Sequence, residues 1–454
     1  MTKPPEPAAH VRDLMPQALD ELERLVRIPS VAFDGFPWEP VTEAAELTAE
    51  LFSHAGVETR LIQMPVGAPF VYGELAGATG APTVLLYAHY DVQPAGELAD
   101  WDTPPFEPVR ADGRLFGRGS SDDKSGIVGH LAAIRAFDGS PPVTIKVVIE
   151  GEEETGASNL ETYVPEHQDL FDADVMVVAD MGNRTLGVPA LVTSLRGMAV
   201  MTIEVQTLEK EVHSGYFGGP APDAFVALTK ILATLHDDQG NVTVDGLEPG
   251  RWDGAEVDEA AFRENAGVLD GVGLIASGGV GERLWSGPSI NVIGIDAPPV
   301  EGARNVLLHR VRARLAIRVP PGEDPVRAEH LIVEHLRGVT PWNATVGIDS
   351  GNVGAGFTAP TGGRGFAAAR AAMREAYGGV EPELIGSGAS IPLLEVLHRA
   401  VPAAEFVLWG TEEPKANVHA PNESVDLREL ERITLAEVLL IGGLGSATPS
   451  AAGS

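Results

Sequence analysis

Residues Thr83 to Ala88 read Thr-Val-Leu-Leu-Tyr-Ala, an almost unbroken apolar run that leads straight into His89-Tyr90-Asp91. A strand without a polar face belongs in a sheet covered on both sides, the usual setting of parallel strands between helices. Val143 to Glu150 and Asp174 to Ala179 repeat the pattern, and a helix is expected between, over Ser125 to Phe137. Upstream, helical spacing of apolar residues runs from His10 to Ile28, where Pro29 ends it, and again over Val41 to His54. Strands are expected at Glu58 to Gln63 and Phe70 to Leu75. This alternation predicts an α/β domain with a mostly parallel sheet.

Near Thr193 the character changes. Met198 to Gln206 and Arg310 to Val319 alternate as half-exposed strands do, and helices fit Pro222 to His236 and Pro325 to Leu336. These predict an α+β unit with an antiparallel sheet, spanning 193–355 and inserted into a first domain made of 1–192 and 356–454. After the Gly- and Pro-bearing stretch Gly351 to Gly365, the chain resumes with helices Phe366 to Tyr377, Ile391 to Arg399 and Leu427 to Leu440 and an apolar strand Ala404 to Leu408. The Gly-rich Gly271 to Gly281 lacks the strand-turn-helix setting of a phosphate cradle and is read as a loop. The tail from Ser446 is expected to fray.

Composition narrows the function. With 44% hydrophobic positions and no cysteine among 454 residues, the chain can bury a core without disulfides or thiolate metal sites. Its 32 Lys plus Arg against 65 Asp plus Glu give a net charge of −33, which repels nucleic acid and anionic lipid alike, so neither is expected as a partner. No apolar stretch approaches the ~20 residues of a membrane span. Met1 to His10 lacks the basic and apolar regions of a signal peptide, so a cytoplasmic location is expected.

The polar residues at the strand ends carry the chemistry. Alternation puts His89 and Asp91 on one side of the chain, where the acid can support a metal-binding imidazole. Ser121-Asp122-Asp123-Lys124 immediately precedes a helix and can cap it or turn a carboxylate toward a metal. Glu150-Gly151-Glu152-Glu153-Glu154 places like charges at the end of a buried strand, which invites something positive to collect them. Asp180 follows the next apolar strand, and Asn417-Val418-His419 supplies a second imidazole. Separately each has an ordinary structural explanation. Jointly, sulfur-free imidazoles and carboxylates at successive strand ends match the needs of a pair of divalent ions.

From Arg27-Ile28-Pro29-Ser30-Val31 to Asn422-Glu423 the chain resembles the carnosinase-like and aminoacylase-like metallopeptidases. That resemblance implies a two-metal catalytic domain carrying an inserted lid or dimerisation domain, with zinc as the metal and manganese or cobalt as alternatives. It makes His89 a ligand of one ion supported by Asp91, Asp122 the bridge to both, Glu153 the general base and Glu154 a ligand. Asp180 then joins His89, and His419 joins Glu154. It also implies a cis peptide bond after Asp122. Asp, where some relatives have Glu, at position 180 favours the dipeptidase branch. In Asn305-Val306-Leu307-Leu308 the chain departs from relatives that carry Pro after the aliphatic residue.

The same resemblance makes His213, in His213-Ser214-Gly215, a lid residue that stabilises an oxyanion in the partner's site, and so implies a homodimer through the lid. Asn305 and Arg318 match groups that hold a substrate carboxylate, and Ser390, in Gly388-Ala389-Ser390-Ile391-Pro392, matches a catalytic-domain loop around that end of the substrate. The implied activity is metal-dependent hydrolysis of dipeptides or similar small peptides. The alternatives are an N-acyl-amino-acid deacylase or carboxypeptidase of the same fold, and a metal-stabilised binding protein without catalysis.

Overall fold

The computed structural model describes residues 7–156 and 158–446, and within it the chain separates into two compact units. The first takes the chain up to Thr193, Ala359–Ile385 and the chain from Leu393 onward; the second takes Ser194–Thr358 and Gly386–Pro392. Residues 1–6 of the Pro-rich start and residues 447–454 of the tail expected to fray lie outside the described residues.

In the first unit the strands Thr144–Glu150, Thr83–His89, Val175–Val178 and Glu405–Leu408 lie side by side and all parallel. Val84 through His89 are buried, as the apolar run requires of a strand with helices on its faces. The flanks are antiparallel: Phe70–Leu75 pairs with Thr144–Glu150, Glu58–Ile62 pairs outside it, and Ala190–Leu195 adds beyond Glu405–Leu408. Helix Lys124–Arg135 is buried along nearly its whole length, packed between Pro7–Val26, Leu427–Ser446 and the Thr83–His89 strand. Parallel pairing puts the carboxyl ends of four neighbouring strands along one rim, where sites of open α/β sheets form. No described helix is long and apolar enough to cross a membrane.

One buried ion pair braces that rim from behind. Both nitrogens of His130 act as donors, Nδ1 to the Glu437 carboxylate at 2.8 and 2.9 Å and Nε2 to the Tyr87 carbonyl at 3.0 Å. Burial alone would lower the His130 pKa, but Glu437 and the Tyr87 carbonyl outweigh it and raise it. A histidine raised in the folded state contributes stability that is fully present below its unfolded value, ~6.5, and is lost as pH rises through the folded value. His130→Ala strands the Glu437 carboxylate and is expected to cost about 3 kcal/mol. Chemical unfolding should show that gap to the wild type shrinking as pH rises.

The second unit is an antiparallel sheet in the order Ser289–Asp296, Arg310–Val319, Gly197–Gln206, Thr345–Gly354. Gly197–Gln206 and Arg310–Val319 alternate buried and more exposed residues, as their sequences predict. Helices Ala224–Ala233 and Pro325–Gly338 pack against it through Leu228, Ile231, Ile332 and Leu336. The first, expected over Pro222 to His236, starts at Ala224 because the Asp223 carboxylate accepts from Val226 N at 3.0 Å, and it ends at Ala233. The outer strands were not anticipated, and Gly351 to Gly365 is not simply irregular: it holds the end of Thr345–Gly354 and the short strand Phe357–Thr358.

The Gly388-to-Pro392 loop, which the resemblance matches to a catalytic-domain loop, groups here with the second unit, as part of Gly386–Pro392. The cause is local bonding: Ser390 Oγ donates to the Arg196 carbonyl and accepts from Arg318 Nη1 at 3.2 Å.

Candidate metal centre

Each parallel strand delivers a polar group to the rim. His89 is the last residue of its strand and pairs in register with Glu150, after which the chain turns into Glu153 and Glu154. Asp180 lies two residues beyond Val178 and bridges to Gly410, which follows Glu405–Leu408. The approach is so close that a Cβ on Gly410 would stand 2.0 Å from the Met181 carbonyl, so only glycine fits.

The main-chain carbonyl of Asp91 accepts from His89 Nδ1 at 3.0 Å, nearer than its own carboxylate oxygen at 3.4 Å. A carbonyl can only accept, so Nδ1 carries a proton and Nε2 is the nitrogen that faces the site. The carboxylate expected to support His89 has a further task. It accepts from the backbone N–H of Glu153 at 3.2 Å and of Glu154 at 3.1 Å, and so fixes the turn that presents both glutamates.

Asp122 stands between the imidazoles. Its Oδ1 is 2.9 Å from His89 Nε2, and its Oδ2 is 3.0 Å from His419 Nε2, which also lies 3.0 Å from Glu154 Oε2. The Asp122–Asp123 peptide bond is cis. His419 adopts the left-handed conformation with φ +63°, uncommon for a residue with a side chain and typical of functional positions. Ligand atoms of His89, Glu153 and Asp180 fall within 4.8 Å of one another, as do those of Asp122, Glu154 and His419. Glu153 is therefore as close to His89 and Asp180 as a ligand would be.

Electrostatics point the same way. Burial, then Asp180, pushes the Glu153 carboxyl well above its ordinary range; burial, then Asp122, pushes Glu154 up to about 7. Burial works against a charged His419, but Asp122 and Glu154 outweigh it and push it up to about 11. Carboxylates this crowded need positive charge between them. Nitrogen and oxygen donors without sulfur, in two trios sharing an aspartate's neighbourhood, fit divalent ions of the zinc or manganese kind.

Four contributors escaped the sequence reading. Gln93 donates from its backbone N to Glu154 Oε1 at 3.1 Å and from Nε2 to Oε2 at 2.8 Å. Glu423 is buried and accepts from the backbone N–H of Gly119, Ser121 and Asp122 at 3.0, 3.0 and 3.2 Å, and from Arg118 Nη1 at 2.7 Å. Thus Arg118 and Glu423 together shape the turn that carries Asp122. Glu412 brings a further carboxylate within 4.8 Å of ligand atoms of Asp122 and Asp180. Glu423 figured only as the end of the stretch that carries the resemblance, Asn422-Glu423.

The remaining expected residues lie in the second unit. His213 pairs with Val306 in a short antiparallel ladder, its Nδ1 accepts from Gly215 N at 3.0 Å, and the adjacent Ser214 N donates to the Asn305 carbonyl at 2.9 Å. The unit thus brings His213 and Asn305 together, and separately Arg318 and Ser390.

A cysteinylglycine-S-conjugate dipeptidase of Corynebacterium striatum is 36% identical over 401 residues, covering 87% of this chain and 88% of that protein. The human β-Ala-His dipeptidase is 28% identical over 371 residues, covering 73% and 70%. The crystal structure of human carnosine dipeptidase 1 shares the fold with a TM-score of 0.84 at 24% identity, covering 98% of this chain and 100% of that one. The model of the peptidase family M20/M25/M40 matches residues 85–441, and the chain belongs to that family.

Proposed function

We propose that the protein is a metallodipeptidase that hydrolyses the amide bond of dipeptides or similar small peptides with a free carboxylate, using two divalent ions, zinc foremost. The observation that carries this reading is Asp122, whose two oxygens face the two imidazoles at 2.9 and 3.0 Å, in a chain 36% identical to a dipeptidase. The residues proposed to hold the ions are His89, Asp122 and Asp180 for one, and Asp122, Glu154 and His419 for the other. When bound, such ions acidify a water and polarise the scissile carbonyl. Glu153 takes the proton of the attacking water and delivers it to the leaving amine. Asp91 holds Glu153 and Glu154 in place through their N–H groups. A cytoplasmic location is proposed with it.

Metal-reconstituted protein should cleave unmodified dipeptides in preference to N-acetyl and N-succinyl amino acids. Preference for the acylated compounds would replace this reading with a deacylase.

We further propose a homodimer through the second unit, with His213 stabilising the oxyanion in the partner's site. Support comes from the Ser289–Asp296 strand, which forms the sheet's edge and exposes Val292, Ile293 and Ile295, the kind of edge a second copy covers. Mixing inactive Glu153→Ala and His213→Ala subunits should restore activity, because a mixed dimer holds one site with both groups intact. Verified subunit exchange without recovery would contradict the exchange of His213.

A further inference from the structure

Thr411, Glu412 and Glu413 follow Gly410 along the rim, and the outer members of this run are committed to the protein itself. Thr411 Oγ1 lies 2.7 Å from Ser125 Oγ. Glu413 is buried and accepts from Arg114 Nη2 at 2.6 Å through one oxygen and from Lys415 N at 2.9 Å through the other. Glu412, between them, faces the metal centre instead. One of its carboxylate oxygens comes within 4.8 Å of ligand atoms of Asp122 and Asp180, and the carboxylate has no hydrogen bond or ion pair among the described residues.

The backbone fixes Glu412 in this place. Its N–H donates to the Met181 carbonyl at 3.3 Å, its carbonyl accepts from Asn183 N at 2.7 Å, and it bridges to Gly182, where a Cβ would collide with the Glu412 carbonyl. The Asn183 side chain donates to Tyr377 Oη at 2.8 Å and to Glu429 Oε2 at 2.7 Å and accepts from Ala190 N at 2.7 Å, so the segment that anchors Glu412 is itself anchored. Glu412 shares its trio with neither imidazole, whereas the other two trios each contain one. It therefore meets the aspartates apart from the nitrogen donors of the centre, as a carboxylate held ready for a cation that the protein does not supply.

We propose that Glu412 binds the free α-ammonium group of the substrate's amino-terminal residue. This rests on the dipeptidase reading above. In a dipeptide the ammonium sits on the carbon next to the scissile carbonyl, so cleavage at the centre brings that cation to the centre's edge. An ammonium presents three donors and a positive charge, and a carboxylate without a partner of its own answers both through charge-assisted hydrogen bonds. Asp122 and Asp180 are committed to the proposed ions, and Glu412 is not. N-acyl amino acids carry no such cation, so Glu412 favours dipeptides over them.

The test compares alanylglycine with propionylglycine, the same molecule without its amino group, on metal-loaded wild type and Glu412→Gln, with bound metal measured on the same samples. Wild type should favour alanylglycine. Glu412→Gln preserves the side chain's size and orphans no partner. It should keep the wild-type metal content and lose roughly 10- to 100-fold of that preference, the size of a charge-assisted hydrogen bond, through KM for alanylglycine. Glu412→Asp, which restores the charge on a shorter arm, should lose less. An undiminished preference in Glu412→Gln, or equal losses on both substrates, would overturn the assignment and leave the dipeptidase reading intact; equal losses accompanied by loss of metal would make Glu412 a ligand instead. A wild type that cleaves propionylglycine at least as well as alanylglycine, or that cleaves neither, would overturn both.

Discussion

Glu153→Gln should lower kcat by roughly 10^2- to 10^4-fold, the usual contribution of a positioned general base, while metal content stays at the wild-type level. His89→Ala and His419→Ala should lose activity together with metal. The contrast matters because the geometry alone puts Glu153 within ligand reach of His89 and Asp180. Its neighbour Glu154 is differently held: Gln93 and His419 contact its carboxylate oxygens at 2.8 to 3.1 Å. No such contact restrains the Glu153 side chain among the described residues, as suits a group that must take up and release a proton. Metal analysis of the purified variants separates the roles. Equal metal loss in all three would make Glu153 a ligand and leave the reaction without its assigned base.

Glu423→Ala should be costly although Glu423 reaches no ligand trio itself. Its carboxylate answers three backbone N–H groups of the Gly119-to-Asp122 turn and the buried Arg118, which is 1% exposed. Removing it strands a buried charge and orphans those donors, an expected loss of about 3–5 kcal/mol in unfolding free energy. The turn also carries Asp122, so metal affinity should fall by roughly 10- to 100-fold, as it does when groups behind a ligand are removed. Denaturant unfolding and a competitive metal titration read the two effects. A variant as stable as wild type with unchanged metal affinity would show that the turn holds Asp122 without Glu423.

What could be read in the sequence follows from how local each signal is. The buried parallel strands were legible because Thr83 to Ala88 and Val143 to Ile149 are mostly apolar, interrupted only by Thr83, Thr144 and Lys146, and the strands delivered His89, Glu153, Glu154 and Asp180 to a common rim. Gln93 contacts Glu154 across 61 residues, and Glu423 contacts Gly119 across 304, separations over which no spacing rule operates. Glu412 stayed hidden because its place depends on Gly410 closing against Met181. That the Gly388-to-Pro392 loop groups with the second unit was not legible either, because no local pattern shows Ser390 reaching Arg196 and Arg318. Thr345–Gly354 went unread because Asp349-Ser350-Gly351-Asn352 interrupts the alternation begun by Val346 and Ile348, whereas Arg310–Val319 places an apolar residue at every second position from Val311 to Val319.

The central claim is that His89, Asp122, Glu154, Asp180 and His419 assemble a two-ion centre on which dipeptide cleavage depends. The most direct measurement strips the protein with chelator and restores zinc stepwise, following alanylglycine cleavage and bound metal on the same samples. Activity should vanish on stripping and return as the bound metal reaches two ions per subunit. Undiminished cleavage by metal-free protein, or full activity restored with no more than one ion per subunit, would contradict it.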